Sequence, residues 1–394
     1  MKYKGRRKLI IIFSVTLTIL LAAVVSVVIA SGCFFKSKYL QPWNKNYSEN
    51  YKDIRVKIIS NGILAASGHN MQPWKIKLDD DKNSFYLYAD SHLLNLEVDP
   101  LARQTMITQG TFLEYLIVAG NKFGYDVNIE LFPKGEYDDK DLINSMNSKP
   151  VAKINLSKTE ESEHLYNYMF YPDTNREAYE KTKLTEEQIS TLKLLSEDNI
   201  DIRILDGEQD LKKLGSLAMK GAEIEAGIHR MNVESANVFR SNEYTKNKFR
   251  YGYSFEGQDI SGLKMYLLEG AINLIPSLNS EKASKDMYIS STKNSIENTP
   301  CYGIVATKGN SRIEQVKSGM VYSRLVLTAH SLGLAMQPLS QVIEEYPEMK
   351  DQYVEVHKEF AFPGETLQML FRIGKPTKEI PKSMRRDVMD IIAK

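Results

Sequence analysis

Two stretches of this chain, 209 positions apart, spell much the same helix. "GTFLEYLIVAGNKFGYDV" (110–127) aligns without a gap on "GMVYSRLVLTAHSLGLAM" (319–336), matching Gly110 with Gly319 and Gly124 with Gly333, with apolar residues in register between them. A repeat of this kind restricts the chain to two similar halves, each built around one such helix. The competing explanation is that buried helices closing on a glycine cap resemble one another anyway. The first of the two, about 101–123, is apolar nearly all round and is expected at the centre of the fold. It opens at an Asp-Pro start, where Arg103 is expected to be exposed beside the helix cap.

At the N-terminus, "MKYKGRRK" precedes an uncharged apolar run from Leu9 to Gly32. At about 1.5 Å per residue, that run can cross a hydrocarbon core of about 30 Å. Lys2, Lys4, Arg6, Arg7 and Lys8 lie before it and only Lys36 and Lys38 follow closely, so the expected topology is single-pass in the cell membrane. The N-terminus would be cytoplasmic and the main domain extracytoplasmic. A cleaved or lipoprotein signal ending at Cys33 is the alternative, but the run exceeds the usual signal core of about 7–15 residues. The composition of the whole 394-residue chain, 42% hydrophobic with 51 basic against 50 acidic residues, is globular and gives no field that calls for nucleic acid. Cys33 and Cys301 are too few for a disulfide framework, and the six histidines (69, 92, 164, 229, 330, 357) show no metal-binding spacing, so no metal is expected.

The pattern divides the chain into a basic N-terminus (1–8), an anchor (9–32), a linker (33–50), a first half (51–170) and a second half (171–394). "WKIKL" and "SFYLYAD" alternate as a hairpin across "DDDKN", and a strand follows Gly124. In the second half "IDIRIL", "YGIVATKG" and "LQMLFRIGKP" read as strands. Residues 211–300 are helical and Tyr/Asn-rich without a counterpart in the first half, and are expected to be a lid-like insertion.

"ASGHNMQPWKIKL" (65–77) carries more polar side chains than a turn needs. Ser67, Asn70, Gln72, Pro73 and Trp74 resemble the flavin-contacting turn of FMN-dependent nitroreductases. "TNREAY" (174–179) resembles that family's phosphate segment, and "GLAMQPLSQ" (333–341) the segment that packs on the isoalloxazine ring. With "FRIGKP" and "PKSMRRDV", the order of motifs is most similar to the long Acg-type branch, in which one chain holds two nitroreductase-like halves. The resemblance implies an α+β nitroreductase-like fold arranged as a tandem pseudo-dimer, compatible with a monomer, with one composite FMN site. The first half would supply the ring turn and the second half the phosphate end.

The implied cofactor contacts are Ser67, Gly68, His69, Asn70, Gln72, Arg176, Gln337, Pro338, Leu339, Ser340, Arg385 and Arg386. The chemistry agrees: the pyrimidine edge of a flavin needs fixed donors and acceptors, a small-residue turn permits close approach, and guanidinium forks suit a phosphate. No catalytic side chain is expected, because the flavin N5 carries the hydride. Pro172 and Asp173 stand where the family often has arginine. Each residue also has a plainer role: Trp74 as core, His69 facing solvent, Arg176 paired with Glu177 or Glu180, and Arg385 and Arg386 on a solvated face. The implied activity passes hydride from NAD(P)H to FMN and then to a nitroaromatic, quinone or similar small-molecule electron acceptor. The alternative is a flavin-binding protein without turnover, serving storage or sensing.

Overall fold

The computed structural model describes residues 2–393; Met1 and Lys394, the two ends of the expected segments, lie outside the described residues. Among the described residues, eight strands form two sheets. β1 (Trp74–Leu78), β2 (Ser84–Ala89), β3 (Tyr125–Leu131) and β4 (Ala152–Lys158) pair in the order β1-β2-β4-β3, entirely antiparallel. β5 (Ile200–Leu205), β6 (Cys301–Thr307), β7 (Ala335–Pro338) and β8 (Thr366–Gly374) pair as β5-β6-β8-β7, again antiparallel. Position for position the two orders are the same. β4 and the short β7 were not expected as strands from the sequence, and they complete the repeat.

The helices of the sequence repeat, Arg103–Lys122 and Arg312–Ser331, cross at the centre of the molecule. A Cβ on Gly110 would stand 1.8 Å from the Val316 carbonyl oxygen, and one on Gly319 would stand 1.9 Å from the Ile107 carbonyl oxygen. These contacts are reciprocal: Ile107 and Val316 are themselves related by the 209-residue offset. The crossing therefore has the self-complementary character of a two-fold interface, within one chain. Glycine is required at both positions because backbone meets backbone.

The same offset relates a second pair of contacts. Arg103 was expected to be exposed, but it is buried and reaches across to the other half. It donates to the carbonyls of Ile343 (2.7 Å) and Gln368 (2.8 Å) and pairs with Glu345 at 3.3 Å. Its counterpart Arg312 pairs with Asp139 at 2.6 Å, and its backbone N–H donates to Glu136, the counterpart of Glu345. The Asp-Pro start does cap its helix, through Asp99, which accepts from the Gln104 and Thr105 N–H groups.

Ahead of this body, a helix runs over Lys2–Ala30. Its Arg6–Ala30 portion has mean hydropathy 2.8 and is long and apolar enough to cross a membrane. The expected linker is not loose: Tyr39, Trp43 and Tyr47 are buried, and the Trp43 indole donates to the Ser383 carbonyl at 2.7 Å. The C-terminal tail leaves the second half and lies on the first. Val388 and Ile391 join the first-half core, and the Ala393 N–H bonds the Ile76 carbonyl at 2.7 Å.

Candidate functional site: a strained turn under a cover

The turn that feeds β1 is held in an unusual backbone shape. His69, Asn70 and Gln72 have φ of 47°, 53° and 51°, a region that side chains other than Asn or Gly visit at a cost of about 1–3 kcal/mol each. Local bonds hold it: the Gln72 N–H donates to Ser67 Oγ at 3.0 Å and the Asn70 N–H to the Ser67 carbonyl at 2.9 Å. Behind it, Trp74 is core as expected, stacked on Phe112 and donating to the Thr108 carbonyl at 3.0 Å.

The donors of this turn reach one segment of the insertion, and Asn70 Nδ2 also reaches the Met384 carbonyl of the tail at 3.0 Å. Asn70 Nδ2 donates to the Gly252 carbonyl (2.9 Å) and Gln72 Nε2 to the Arg250 carbonyl (2.9 Å). Arg176 donates to the Gly257 carbonyl at 2.5 Å and its backbone N–H to Asp259 at 2.5 Å, in place of the expected surface pairing with Glu177 or Glu180. Residues 228–260 thus lie over the turn as a cover, fastened by carbonyl groups. Apolar contacts of Met71 and Leu93 with Val238, Tyr251 and Tyr253 reinforce it.

Other candidate residues converge on the same place with their bonds already made. Arg385 is buried, donates to the Leu64 carbonyl (2.8 Å) and Asn70 Oδ1 (3.1 Å), pairs with Asp173 at 3.3 Å and lies over the Trp43 ring. Arg386 donates to the Gln72 carbonyl (3.0 Å) and the Asp390 carbonyl (2.9 Å), while its N–H meets Gln72 Oε1 at 2.8 Å. Neither guanidinium presents an open fork, and neither lies on a solvated face. They clamp the tail to the turn. Tyr171, just before Pro172, is extended, and Asp173 partners Arg385.

On the 333–341 segment, Gln337 accepts from Arg372 at 2.6 Å, and Arg372 in turn donates to the carbonyls of Asn175 (3.1 Å) and Glu177 (2.7 Å), on either side of Arg176. Leu339 and Ser340 are tied to Leu370 of β8, and Pro338 ends β7. The arginine that joins this segment to Arg176 was not singled out from sequence, although "FRIGKP" contains it.

Between the turn and the start of the central helix lies a narrow crevice of about 20 Å³, bounded among others by Gly68, His69, Asp99, Gln104 and Thr108. That is room for about one water, far below the range for small-molecule sites, so the closed cover leaves no space for a ligand there. His69 does not face open solvent: burial first, and the Arg176 charge second, push its pKa down to about 4, so the imidazole is neutral. Burial raises Asp99 above the usual carboxylate range, and it lifts Glu225 to about 7. Asp259 is raised to about 6 by burial, against the pull of Arg176.

No family model matches the chain, and no curated protein does either. Among solved structures, the chain is similar to nitroreductase-like proteins. A nitroreductase-like family protein from Bacillus cereus aligns at 11% identity and TM-score 0.32, over 60% of this chain and 98% of that one. A nitroreductase with bound FMN from Desulfitobacterium hafniense DCB-2 gives 10% and 0.35, over 59% and 98%. A putative nitroreductase from Anabaena variabilis gives 11% and 0.30, over 79% and 82%. Likeness at this level assigns neither a ligand nor an activity.

Proposed function

We propose that the chain is a membrane-tethered flavin-binding protein made of two fused nitroreductase-like halves, with one FMN site per chain at the turn 67–72 and a cover that lifts to admit the cofactor. The supporting observation is that the Asn70 and Gln72 amides and Arg176 each donate to a backbone carbonyl of one segment, those of Gly252, Arg250 and Gly257, although Asn70 also donates to the Met384 carbonyl of the tail at 3.0 Å. A flavin pyrimidine edge presents carbonyl acceptors of the same kind, so lifting one segment exposes a ready donor set. The phosphate end fits less well. Arg385 and Arg386 stay committed to the Leu64, Gln72 and Asp390 carbonyls, and Arg176 is the cation released with the cover.

Bound there, FMN would supply hydride chemistry, taking electrons from NAD(P)H and passing them to a nitroaromatic, quinone or similar small acceptor. The protein groups bind and orient. Asn70 and Gln72 would fix the ring edge, and neutral His69 carries no proton to give at pH 7. The second reading is a flavin-binding protein without turnover, in which the 228–260 segment settles again over the bound ring. The Arg6–Ala30 helix acts on this reading as an uncleaved membrane anchor with the basic N-terminus in the cytoplasm.

Purified full-length protein in detergent decides between these. A flavin absorbance band that bleaches on anaerobic addition of NADH or NADPH supports the enzyme, and a band that stays oxidised supports the covered, non-turnover form. Colourless protein that takes up no FMN, even with Val238→Ala loosening the cover's apolar contact, defeats the flavin reading altogether. Arg176→Ala should weaken FMN binding and leave riboflavin binding unchanged.

A further inference from the structure

The helix Gly262–Leu274 and the turn after it, Pro276–Leu278, are apolar on the outside although they belong to the insertion. Leu263, Leu274, Ile275 and Leu278 are each at least half exposed. Leu263 and Leu274 lie on the same helical face as Gly270, at the i, i+7 and i+11 positions that line one side of a helix. That face touches the anchor helix: a Cβ on Gly270 would stand 1.8 Å from the Val27 carbonyl oxygen, and Asn273 Nδ2 donates to the Ala30 carbonyl at 3.0 Å. The exposed leucines therefore flank the anchor instead of lying at a distance from it.

Depth follows from helix geometry. A hydrocarbon core of about 30 Å takes about 20 residues at 1.5 Å each. Counted from Leu9, the first residue after the basic cluster, that span reaches Val28. The Val27–Gly270 contact lies inside it, so the insertion helix meets the anchor at the level where the outer acyl chains end. Its two ionisable side chains fit such a place: Glu269 is fully buried, turned away from the exposed leucines and 2.8 Å from Lys246, and Lys264 is exposed and long enough to reach headgroups.

We infer that Gly262–Leu278 is a second membrane-contacting element, seated in the outer leaflet beside the anchor, so that the body of the protein rests on the lipid surface. This rests on the reading of the Arg6–Ala30 helix as membrane-spanning. The occupant is lipid, because the patch is continuous with a helix whose other sides are themselves exposed and apolar.

Full-length protein in phosphatidylcholine vesicles, with and without brominated acyl chains, provides the test. Leu274→Trp and Leu278→Trp should lose about half of their added emission to brominated lipid, as expected for residues in the acyl boundary. Leu194→Trp, on the exposed end of a second-half helix, should lose none. Leu17→Trp, within the anchor, reports the spanning reading separately. Quenching at Leu17→Trp with none at Leu274→Trp and Leu278→Trp overturns the inference alone, and quenching at none of them overturns both. Blue-shifted emission at Leu274→Trp and Leu278→Trp without bromine quenching places a second protein copy there and likewise overturns it.

Discussion

The two sheets share a strand order, but they live in different surroundings. In the first half, β1 and β3 alternate between inward and outward residues, as expected for a sheet with one face near solvent. In the second half, β6 and β8 are buried almost throughout. One face of that sheet packs on the central helices, and the other carries Leu214, Leu217 and Ala218 of the insertion helix Glu208–Gly227. The entries to the sheets differ as well. β1 is entered through a strained turn whose side chains are bonded to distant segments. β5 is entered by a tight reversal in which Glu197 and Ile200 exchange backbone bonds of 2.9 Å. The symmetric elements hold the molecule together, and the asymmetric ones build the candidate site.

The seam is where symmetry should show most strongly. Gly110→Ala and Gly319→Ala each drive a methyl group into a facing carbonyl, a clash with backbone that side-chain movement cannot relieve. Both variants should lose more than the roughly 1–3 kcal/mol of ordinary overpacking, and by similar amounts, in thermal or denaturant unfolding. A large effect at one glycine alone would break the two-fold comparison.

One step outward the halves should diverge. Arg103→Ala leaves two carbonyls and a mostly buried Glu345 without their cation, a loss of about 3–5 kcal/mol. Arg312→Ala should cost clearly less, because its partner Asp139 is largely exposed and water takes over. Equal costs would show that the symmetry of the seam extends to its rim.

The insertion adds a pH dependence of its own. Lys246 is fully buried among Glu243, Glu256 and Glu269, at 2.7, 2.6 and 2.8 Å. Burial opposes its charge, but the carboxylates, Glu256 foremost, overcome burial and hold it protonated. Burial also raises Glu269 to about 8, with Lys246 pulling the other way. A carboxyl raised on folding binds its proton more tightly in the native state. Its contribution is therefore complete below the unfolded value, near 4.5, and is lost as pH rises through about 8. Melting temperature should fall across that window, and Glu269→Gln should flatten the fall. An unchanged slope would remove Glu269 from the account.

Much of this was legible in the sequence, for reasons that also mark its limits. Period-two and helical patterns located six of the eight strands and both central helices, because one buried face leaves a readable imprint. The glycine match at 209 residues marked the crossing, and the same alignment carried back to Arg103 and Arg312, and on to Glu136 and Glu345, would have marked the clamps. The pairing of the turn with the cover was not legible. The groups that occupy Asn70, Gln72 and Arg176 are backbone carbonyls of Arg250, Gly252 and Gly257, and a carbonyl acceptor has no sequence signature. Nor do Arg385 and Arg386 look different in sequence whether they face a phosphate or the tail's own contacts.

The smallest effect isolates the strain itself. Gln72→Ala removes the side-chain bonds to the Arg250 carbonyl and the Arg386 N–H but keeps a Cβ at φ 51°. Gln72→Gly loses the same bonds and relieves the backbone, so it should be the more stable of the two by about 1 kcal/mol, the cost of a side chain in the left-handed region. At the entry to β5 the order should reverse. Asn199 is not among the positive-φ residues, and there glycine only adds freedom to the unfolded chain, so Asn199→Gly should fall below Asn199→Ala. Limited proteolysis of residues 228–260 separates strain from clasp in the same variants. Both Gln72 variants should cut faster than the parent, because each unfastens the cover, while neither Asn199 variant should change the rate. If Gln72→Gly cuts no faster than the parent, the cover is held by its apolar contacts, and lifting it to admit a flavin would require separating Met71 and Leu93 from Val238.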